Sequence, residues 1–330
     1  MGKKLIFLFF IFLIPFFIFS AGETGADILN EKNGVRPLAI GEAYTSMADN
    51  LEGIAYNPAC ISFIKNHEIT GSYLWKSFGV TSINGAYAQP IEIFFLEGKG
   101  ALSFIYRTIP EISNLDALDE PVSFYDILIA ATFANNLFYF IKNDLLKDIH
   151  AGASIKFIQE QIGNNVGSTF AFDLGFIFLP ADSFYKLGLS LLNVGMPIKT
   201  LRADVQQGDI NFESSPLPIT FRIGGAFSIK IDKDNISTIS LDYIQNFFEA
   251  PRFAIGVEHS VVNILFLRMG YNMYTDTRQP ATLSAGIGVS VTTIVPVTVT
   301  GELNYVHRIF MWNWFNSPDS IDALSVVFKF

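Results

Sequence analysis

Bulky apolar residues alternate with small or polar residues along most of the chain after His67. Residues 170–178 show the pattern clearly, because every even position is Phe or Leu and Ala171, Asp173 and Gly175 stand between them. The same period recurs in 217–228, 265–272 and 283–290. Successive side chains of a β-strand point to opposite faces, so a period of two predicts amphipathic strands with one apolar face.

About fourteen such strands are predicted. If the first strand begins and the last strand ends on one side of the membrane, the odd-numbered connections between strands lie on the other side. These connections include the long ones at 109–121, 193–216 and 307–321. The connection 134–148 is an exception that the pattern does not explain. The predicted strands lie near 68–76, 80–89, 99–108, 122–133, 149–161, 167–178, 184–192, 217–230, 236–247, 252–262, 264–274, 281–291, 295–307 and 322–330.

The composition indicates where the apolar face points. Half of the 330 residues are hydrophobic, 33 are Phe, and only 16% are charged. No stretch after residue 22 has the roughly 20 apolar residues that a spanning helix needs. A lipid-exposed backbone must satisfy its hydrogen bonds internally, which leaves a closed barrel. The predicted fold is therefore all-β, a transmembrane antiparallel β-barrel over residues 67–330 in contact with outer-membrane lipid.

The first 22 residues resemble an export signal. Lys3 and Lys4 precede an apolar run that Pro15 interrupts, and small residues follow it. This pattern predicts a cleaved signal peptide over 1–22, with an uncleaved anchor as the alternative. Export and a barrel together predict the outer membrane of a diderm bacterium. The last strand ends on Phe330, which resembles the signal read by the barrel-assembly machinery, a partner during biogenesis.

Residues 23–66 do not alternate. A fourteen-strand barrel is too wide for its own side chains to fill, so this segment is predicted to be a plug, with a free periplasmic extension as the alternative. Asn57 is predicted to cap a short helix that has Pro58 at its first position. A helix is also predicted before it, from the helical spacing of Ile40, Ala43, Tyr44, Met47, Ala48 and Leu51.

The stretches 34–49 and 54–59 resemble the N-terminal signature of PorV/PorQ-type outer-membrane proteins, which are in turn similar to the long-chain fatty-acid transporter (FadL) superfamily. Further blocks at 191–197, 217–224, 254–258 and 267–271 resemble that family in the same order. The resemblance implies a hatch and a kinked strand wall, for which Gly85 and Pro90 are candidates. Glu42 and Cys60 depart from the family, which usually has glycine at both positions. The implied hatch motif consists of Gly34, Arg36, Gly41, Asp49, Asn57, Pro58 and Ala59.

Several charged residues occupy positions of the predicted strands whose side chains face the lumen. One interpretation is a lumenal salt-bridge network that holds the plug. The other is that Arg222 and Arg268 hold a ligand carboxylate, because the guanidinium group can bind it through two hydrogen bonds. The candidate lumenal contacts are Arg222, Arg268, Glu258, Asp242 and Lys156. The aromatic residues Phe310, Trp312, Trp314 and Phe315 form either an interfacial belt or an outer mouth that captures apolar molecules.

The sequence favours a channel over an enzyme. Its four histidines fall on separate predicted strands, and neither a metal site nor a cofactor motif is recognised. The net charge of −9, without a basic cluster in the mature chain, argues against nucleic acid as a partner. The leading prediction is passive uptake of hydrophobic small molecules, foremost long-chain fatty acids. The alternatives are a PorV-like attachment or shuttle component, with secretion-system components as partners, and a structural outer-membrane protein.

Overall fold

A computed structural model of the protein describes residues 24–31, 34–93, 96–112, 122–163, 165–204, 209–276, 279–294, 298–310 and 320–330. The described residues form sixteen strands. In chain order they are β1 (Glu68–Lys76), β2 (Thr81–Ile93), β3 (Leu96–Ile112), β4 (Val122–Asn136), β5 (Ile149–Ile162), β6 (Asn165–Phe178), β7 (Tyr185–Gly195), β8 (Ile198–Asp204), β9 (Asp209–Ser215), β10 (Thr220–Lys230), β11 (Ile236–Asn246), β12 (Arg252–Val261), β13 (Leu265–Tyr274), β14 (Thr282–Ile294), β15 (Thr298–Phe310) and β16 (Ser320–Lys329).

Fourteen of the strands form one closed antiparallel barrel, which confirms the predicted fold and strand number. Each strand pairs with its neighbours in sequence, except that β7 pairs with β10 and that β1 pairs with β16 to close the barrel. The strands β8 and β9 form a separate hairpin between β7 and β10. The alternation did not predict this hairpin, because polar residues occur on both parities of 198–215.

The two faces of the barrel differ as the alternation predicted. On β6 the side chain of Phe172 is 52% exposed on the outer face, whereas the next residue, Asp173, is 1% exposed and points inward. The predicted strand bounds are approximate. For example, β10 begins at Thr220 and not at residue 217, because Pro216 and Pro218 lack the backbone N–H that a central strand needs.

The barrel has a terminal rim, where β1 begins and β16 ends, and a far rim at the other ends of the strands. The connection 134–148 lies at the terminal rim and contains two short 3₁₀ helices, Leu137–Tyr139 and Asp144–Leu146. The Phe140 ring lies 6.3 Å from that of Phe133, on the outer face of β4. The extra length of this connection therefore folds back against the lipid-facing surface.

The N-terminal segment, residues 24–66 with 32 and 33 outside the described part, lies inside the barrel. Its helices are short: 3₁₀ turns at Asp27–Asn30, Leu51–Gly53 and Pro58–Phe63, and one α-helix at Val35–Ala39. A further 3₁₀ turn, Ser77–Gly79, joins β1 to β2 at the far rim. Among the described residues, no helix is both long and apolar enough to cross a membrane.

The helix predicted from the spacing of residues 40–51 is wrong, because this stretch forms turns. Gly41 and Glu42 adopt the left-handed conformation, with φ of 65° and 69°, and this ends the α-helix. The next amides, those of Tyr44 and Thr45, donate to the carboxylate of Asp242 on β11. The predicted cap is confirmed, since the Asn57 side chain accepts a hydrogen bond from the Ala59 amide at 3.1 Å.

Candidate functional site in the barrel lumen

The N-terminal segment packs directly against the barrel wall where that wall presents glycines. A Cβ atom at Gly270 of β13 would lie 1.9 Å from the backbone nitrogen of Gly41. A Cβ atom at Gly175 of β6 would lie 2.0 Å from Oδ1 of Asn57. Only a residue without a side chain allows backbone to approach this closely. Comparable contacts at Gly152, Gly188, Gly256 and Gly286 bring the segment against β5, β7, β12 and β14.

An ion-pair chain joins the α-helix of the segment to three strands. Arg36 donates two hydrogen bonds to the Glu258 carboxylate of β12, both at 2.8 Å. The same carboxylate accepts a 2.6 Å bond from Arg268 of β13. Arg268 also donates to Glu302 and Asn304 of β15. Two guanidinium groups thus share one carboxylate, so that each buried charge has a partner of the opposite sign.

Arg36 makes a third contact within its own segment, a 2.6 Å bond to Asp49. The Lys186 ammonium of β7 lies 3.6 Å from the other oxygen of the same carboxylate. Burial alone would raise the pKa of Asp49, but these two cations hold it well below its ordinary value. Asp49 is therefore ionised over the whole neutral range.

A second set of contacts holds the turn at residues 41–45. The Asp242 carboxylate accepts bonds from the amides of Tyr44 and Thr45 and from Arg222 of β10. Arg222 also donates to the Glu42 carbonyl oxygen at 2.6 Å. The Glu42 carboxylate forms ion pairs with Arg308 at 2.5 Å and with Arg252 at 3.2 Å. Glu42 thus joins β12 to β15.

A third contact lies within the wall itself, between β5, β6 and β7. The register of β6 against β7 shifts between Phe172 and Leu174, which leaves Asp173 at a bulge. The Asp173 carboxylate pairs with Lys156 at 2.6 Å and accepts the amide of Asn193 at 2.8 Å. Strand β2 pairs on both sides without a register shift through Gly85. The register therefore shifts here, and also between Ile109 and Ile112 of β3, whereas β2 pairs with β3 without a shift through the predicted kink candidates, Gly85 and Pro90.

The far end of the segment is held by acidic residues. Glu31 pairs with Lys76 of β1 at 2.6 Å, and Asp27 pairs with Arg107 of β3 at 2.7 Å. Arg107 also pairs with Asp126 of β4. Since these contacts lie near the far rim and Asn66 lies at the terminal rim, the segment extends along most of the lumen.

The segment does not fill the lumen. A cavity of about 100 Å³ remains beside it, lined by the strands β1–β5 and also by residues of β7, β10 and β12. Two rows of small or neutral side chains from β1–β4 form one side of the cavity, which we call the cavity wall. One row is Thr70, Ala86, Ser103 and Ala130, and the other is Ser72, Asn84, Ile105 and Leu128. The segment contributes apolar residues opposite these rows, among them Ile28, Leu29, Leu51, Ile54 and Tyr56.

The predicted site residues are only partly brought together. Arg222, Asp242, Arg268 and Glu258 all contact the N-terminal segment or its partners, whereas Lys156 pairs within the wall. Both candidate arginines therefore bond protein carboxylates, and their binding of a ligand remains a prediction. Of the aromatic loop, Phe310 packs under the Arg308 guanidinium, while Trp312, Trp314 and Phe315 lie outside the described residues. The alternating pattern was not used to identify Arg252 and Arg308 as lumenal residues, although both occupy inward-facing positions of β12 and β15.

The closed fourteen-strand barrel, apolar outside and polar inside, is an outer-membrane-type β-barrel. A scan against known protein-family models gives no match, and a sequence search of curated proteins gives none. The PorV/PorQ part of the resemblance therefore stays a prediction.

Solved structures with the same fold are found by structural comparison. The CymD monoaromatic hydrocarbon channel is 9% identical, with 90% of this chain and 96% of that chain covered and a TM-score of 0.55. The Ralstonia pickettii toluene transporter TbuX is 9% identical, with 89% and 96% covered and a TM-score of 0.57. The Pseudomonas putida toluene transporter TodX is 10% identical, with 90% and 97% covered and a TM-score of 0.55. At such low identity the likeness concerns the fold alone.

Proposed function

We propose that this protein is an outer-membrane channel for the passive entry of small apolar molecules, which bind in the cavity between the N-terminal segment and the cavity wall. The cavity is the observation on which the proposal depends. Apolar side chains of the segment line one side of it and a few polar groups line the other, as is usual in small-molecule sites. The fold supports the proposal, since the similar barrels CymD, TbuX and TodX are named as hydrocarbon or toluene channels and transporters.

The N-terminal segment acts as the plug in this proposal. It is joined by ion pairs to strands on opposite sides of the lumen, which favours a fixed obstacle to ions and water over a free extension. Small apolar molecules would pass beside it through the cavity. The channel would carry out no chemical reaction.

Long-chain fatty acids are a less favoured substrate than small uncharged molecules. A fatty-acid carboxylate needs a cation, and Arg222 and Arg268 already bond Asp242 and Glu258. Displacing a protein carboxylate from such a pair would leave a buried charge without a partner, which is costly. A PorV-like secretion role would depend on the long connections at the far rim. These connections lie partly outside the described residues, so no particular contact favours that role.

Binding of toluene to the purified protein tests the proposal. The unmodified protein should bind toluene saturably, after subtraction of the toluene that dissolves in empty detergent micelles. Ser103→Phe places a ring in the cavity and should abolish binding. Ser228→Phe is the matched control, because Ser228 also points inward but contacts Thr238 near the terminal rim. Absence of saturable binding to the unmodified protein, or equal binding by both variants, would overturn the proposal.

A further inference from the structure

The cavity wall offers neutral hydrogen-bonding groups and not charges. Thr70 and Ser103 lie in one cross-strand row, and Ser72 and Asn84 lie opposite each other in the next. All four side chains point into the lumen and are only partly buried, although the Oδ1 atom of Asn84 is itself buried. The Asn84 amide donates to the Ser72 hydroxyl at 3.1 Å, while Asn84 Oδ1 has no hydrogen-bond partner. The wall therefore has acceptor capacity to spare.

The cations among the described lining residues are already paired. Lys156 pairs with Asp173 at 2.6 Å. Arg222 pairs with Asp242 at 3.1 Å, and Arg252 pairs with Glu42 at 3.2 Å. A ligand carboxylate would have to displace one of these buried partners or remain unpaired. Both outcomes are unfavourable, so the cavity disfavours anions.

One acidic side chain adds to the surplus of acceptors. Glu52 of the N-terminal segment lines the cavity and is 5% exposed. Its Oε1 atom accepts the Val35 amide at 2.8 Å. Oε2 is buried, and the neighbouring Ser325 hydroxyl stabilises the charged carboxylate. Burial raises the pKa of the Glu52 carboxyl. A ligand that supplies a hydrogen-bond donor would relieve this deficit, whereas a pure hydrocarbon would not.

We infer that the cavity selects apolar molecules that are uncharged and carry a hydrogen-bond donor such as a hydroxyl group, in preference to hydrocarbons and carboxylates of the same size. The apolar body packs against Leu51 and Ile54 of the segment, and the hydroxyl group faces Thr70, Asn84 and Ser103. This inference rests on the proposed function, because it names the class of molecule that the same cavity takes.

Three probes of matched shape test it: toluene, p-cresol and p-toluate, titrated calorimetrically into the purified full-length protein with empty micelles subtracted. One neutral hydrogen bond corresponds to a preference of about fivefold. We therefore expect p-cresol to bind about fivefold more tightly than toluene, and p-toluate to bind most weakly. Toluene binding as tightly as p-cresol, or p-toluate binding most tightly, would overturn the inference while leaving the proposed function intact. If none of the three binds saturably, the proposed function itself fails.

Substitutions in the cavity wall test whether this wall causes the preference for p-cresol. Asn84→Leu and the nearly isosteric Thr70→Val should each reduce the ratio of the p-cresol affinity to the toluene affinity. Thr238→Val is the control, since Thr238 is an inward-facing threonine of β11 whose hydroxyl contacts Ser228 and not the cavity. Heat-modifiable migration in electrophoresis verifies that each barrel is assembled. If Thr70→Val and Asn84→Leu both assemble and keep the full preference, the cavity wall is not the selecting surface.

Discussion

The two sides of the lumen differ in what they present to the N-terminal segment. The strands β10–β15, which we call the clamp wall, present buried charges and glycines that contact the segment directly, and Thr220, Arg222 and Arg252 among them also line the cavity. The cavity wall of β1–β4 presents small neutral side chains in its middle rows, and a cavity remains there. The clamp wall can therefore fix the position of the segment while the cavity wall stays available to a ligand.

The physical reason lies in the inward residues. Burying a charge is costly unless a partner compensates it, so the arginines of the clamp wall require the carboxylates and carbonyls that the segment and neighbouring strands supply. Threonine, serine and alanine require no such partner, and they are too short to cross the lumen. Space therefore remains beside them.

Removal of the segment should have the largest effect. Deleting residues 24–60 should leave an assembled barrel, since the strand pairing does not involve these residues. The lumen would then be open, and the clamp-wall charges would be hydrated. We expect clear ion conductance in planar lipid bilayers, where the full-length protein should conduct little. Equal conductance of the two proteins would contradict the role of the segment as a plug.

A single added methyl group on the clamp wall should displace part of the segment. Gly270→Ala places Cβ against the backbone of Ile40 and Gly41, which has no flexible group to move away. We expect faster cleavage after Glu42 by a glutamate-specific protease, and partial conductance. Gly71→Ala is the control on β1, because its Cβ would meet no atom nearer than 4.0 Å. If the two variants resist that protease equally, the close contact at Gly270 is not important.

Removing a charged side chain from the clamp wall should destabilise the protein more than removing a hydroxyl group from the cavity wall. Arg268→Ala leaves Glu302 without its ion-pair partner and Glu258 with Arg36 alone. The expected loss in the free energy of unfolding is about 3–5 kcal/mol. For Ser72→Ala it is about 1 kcal/mol or less. Urea unfolding in lipid vesicles measures both, and equal losses would remove the distinction between the walls.

The smallest expected effect is the dependence of the segment's stability on acidic pH. The pKa of Asp49 is lowered in the folded protein, so its ion pairs stabilise the segment fully above the pKa of an unfolded aspartate, about 3.9. This contribution is lost as the pH falls below that value through the lower pKa of the folded state. Protease accessibility of the segment should therefore rise more steeply with acid in the unmodified protein than in Asp49→Asn. Identical pH profiles would show that Asp49 does not hold the segment.

The sequence predicted the barrel well because the period of two can be recognised separately in each strand. It predicted which charged residues face the lumen for the same reason, as for Arg222, Glu258 and Arg268. It could not predict their partners, because these depend on the path of the N-terminal segment through the barrel. The helix expected near Tyr44 failed because Asp242, which is distant in sequence, binds the amides there. The cavity could not be predicted either, since it is what the packing of two distant regions leaves open.

The most direct test of the account is to locate a bound apolar molecule. Crystals of the full-length protein soaked with 4-iodotoluene would reveal its iodine by anomalous scattering. The account predicts an iodine site inside the barrel, between the cavity wall at Ser103 and the N-terminal segment at Tyr56. Iodine found only on the lipid-facing surface, or in the lumen against the clamp wall, would contradict it.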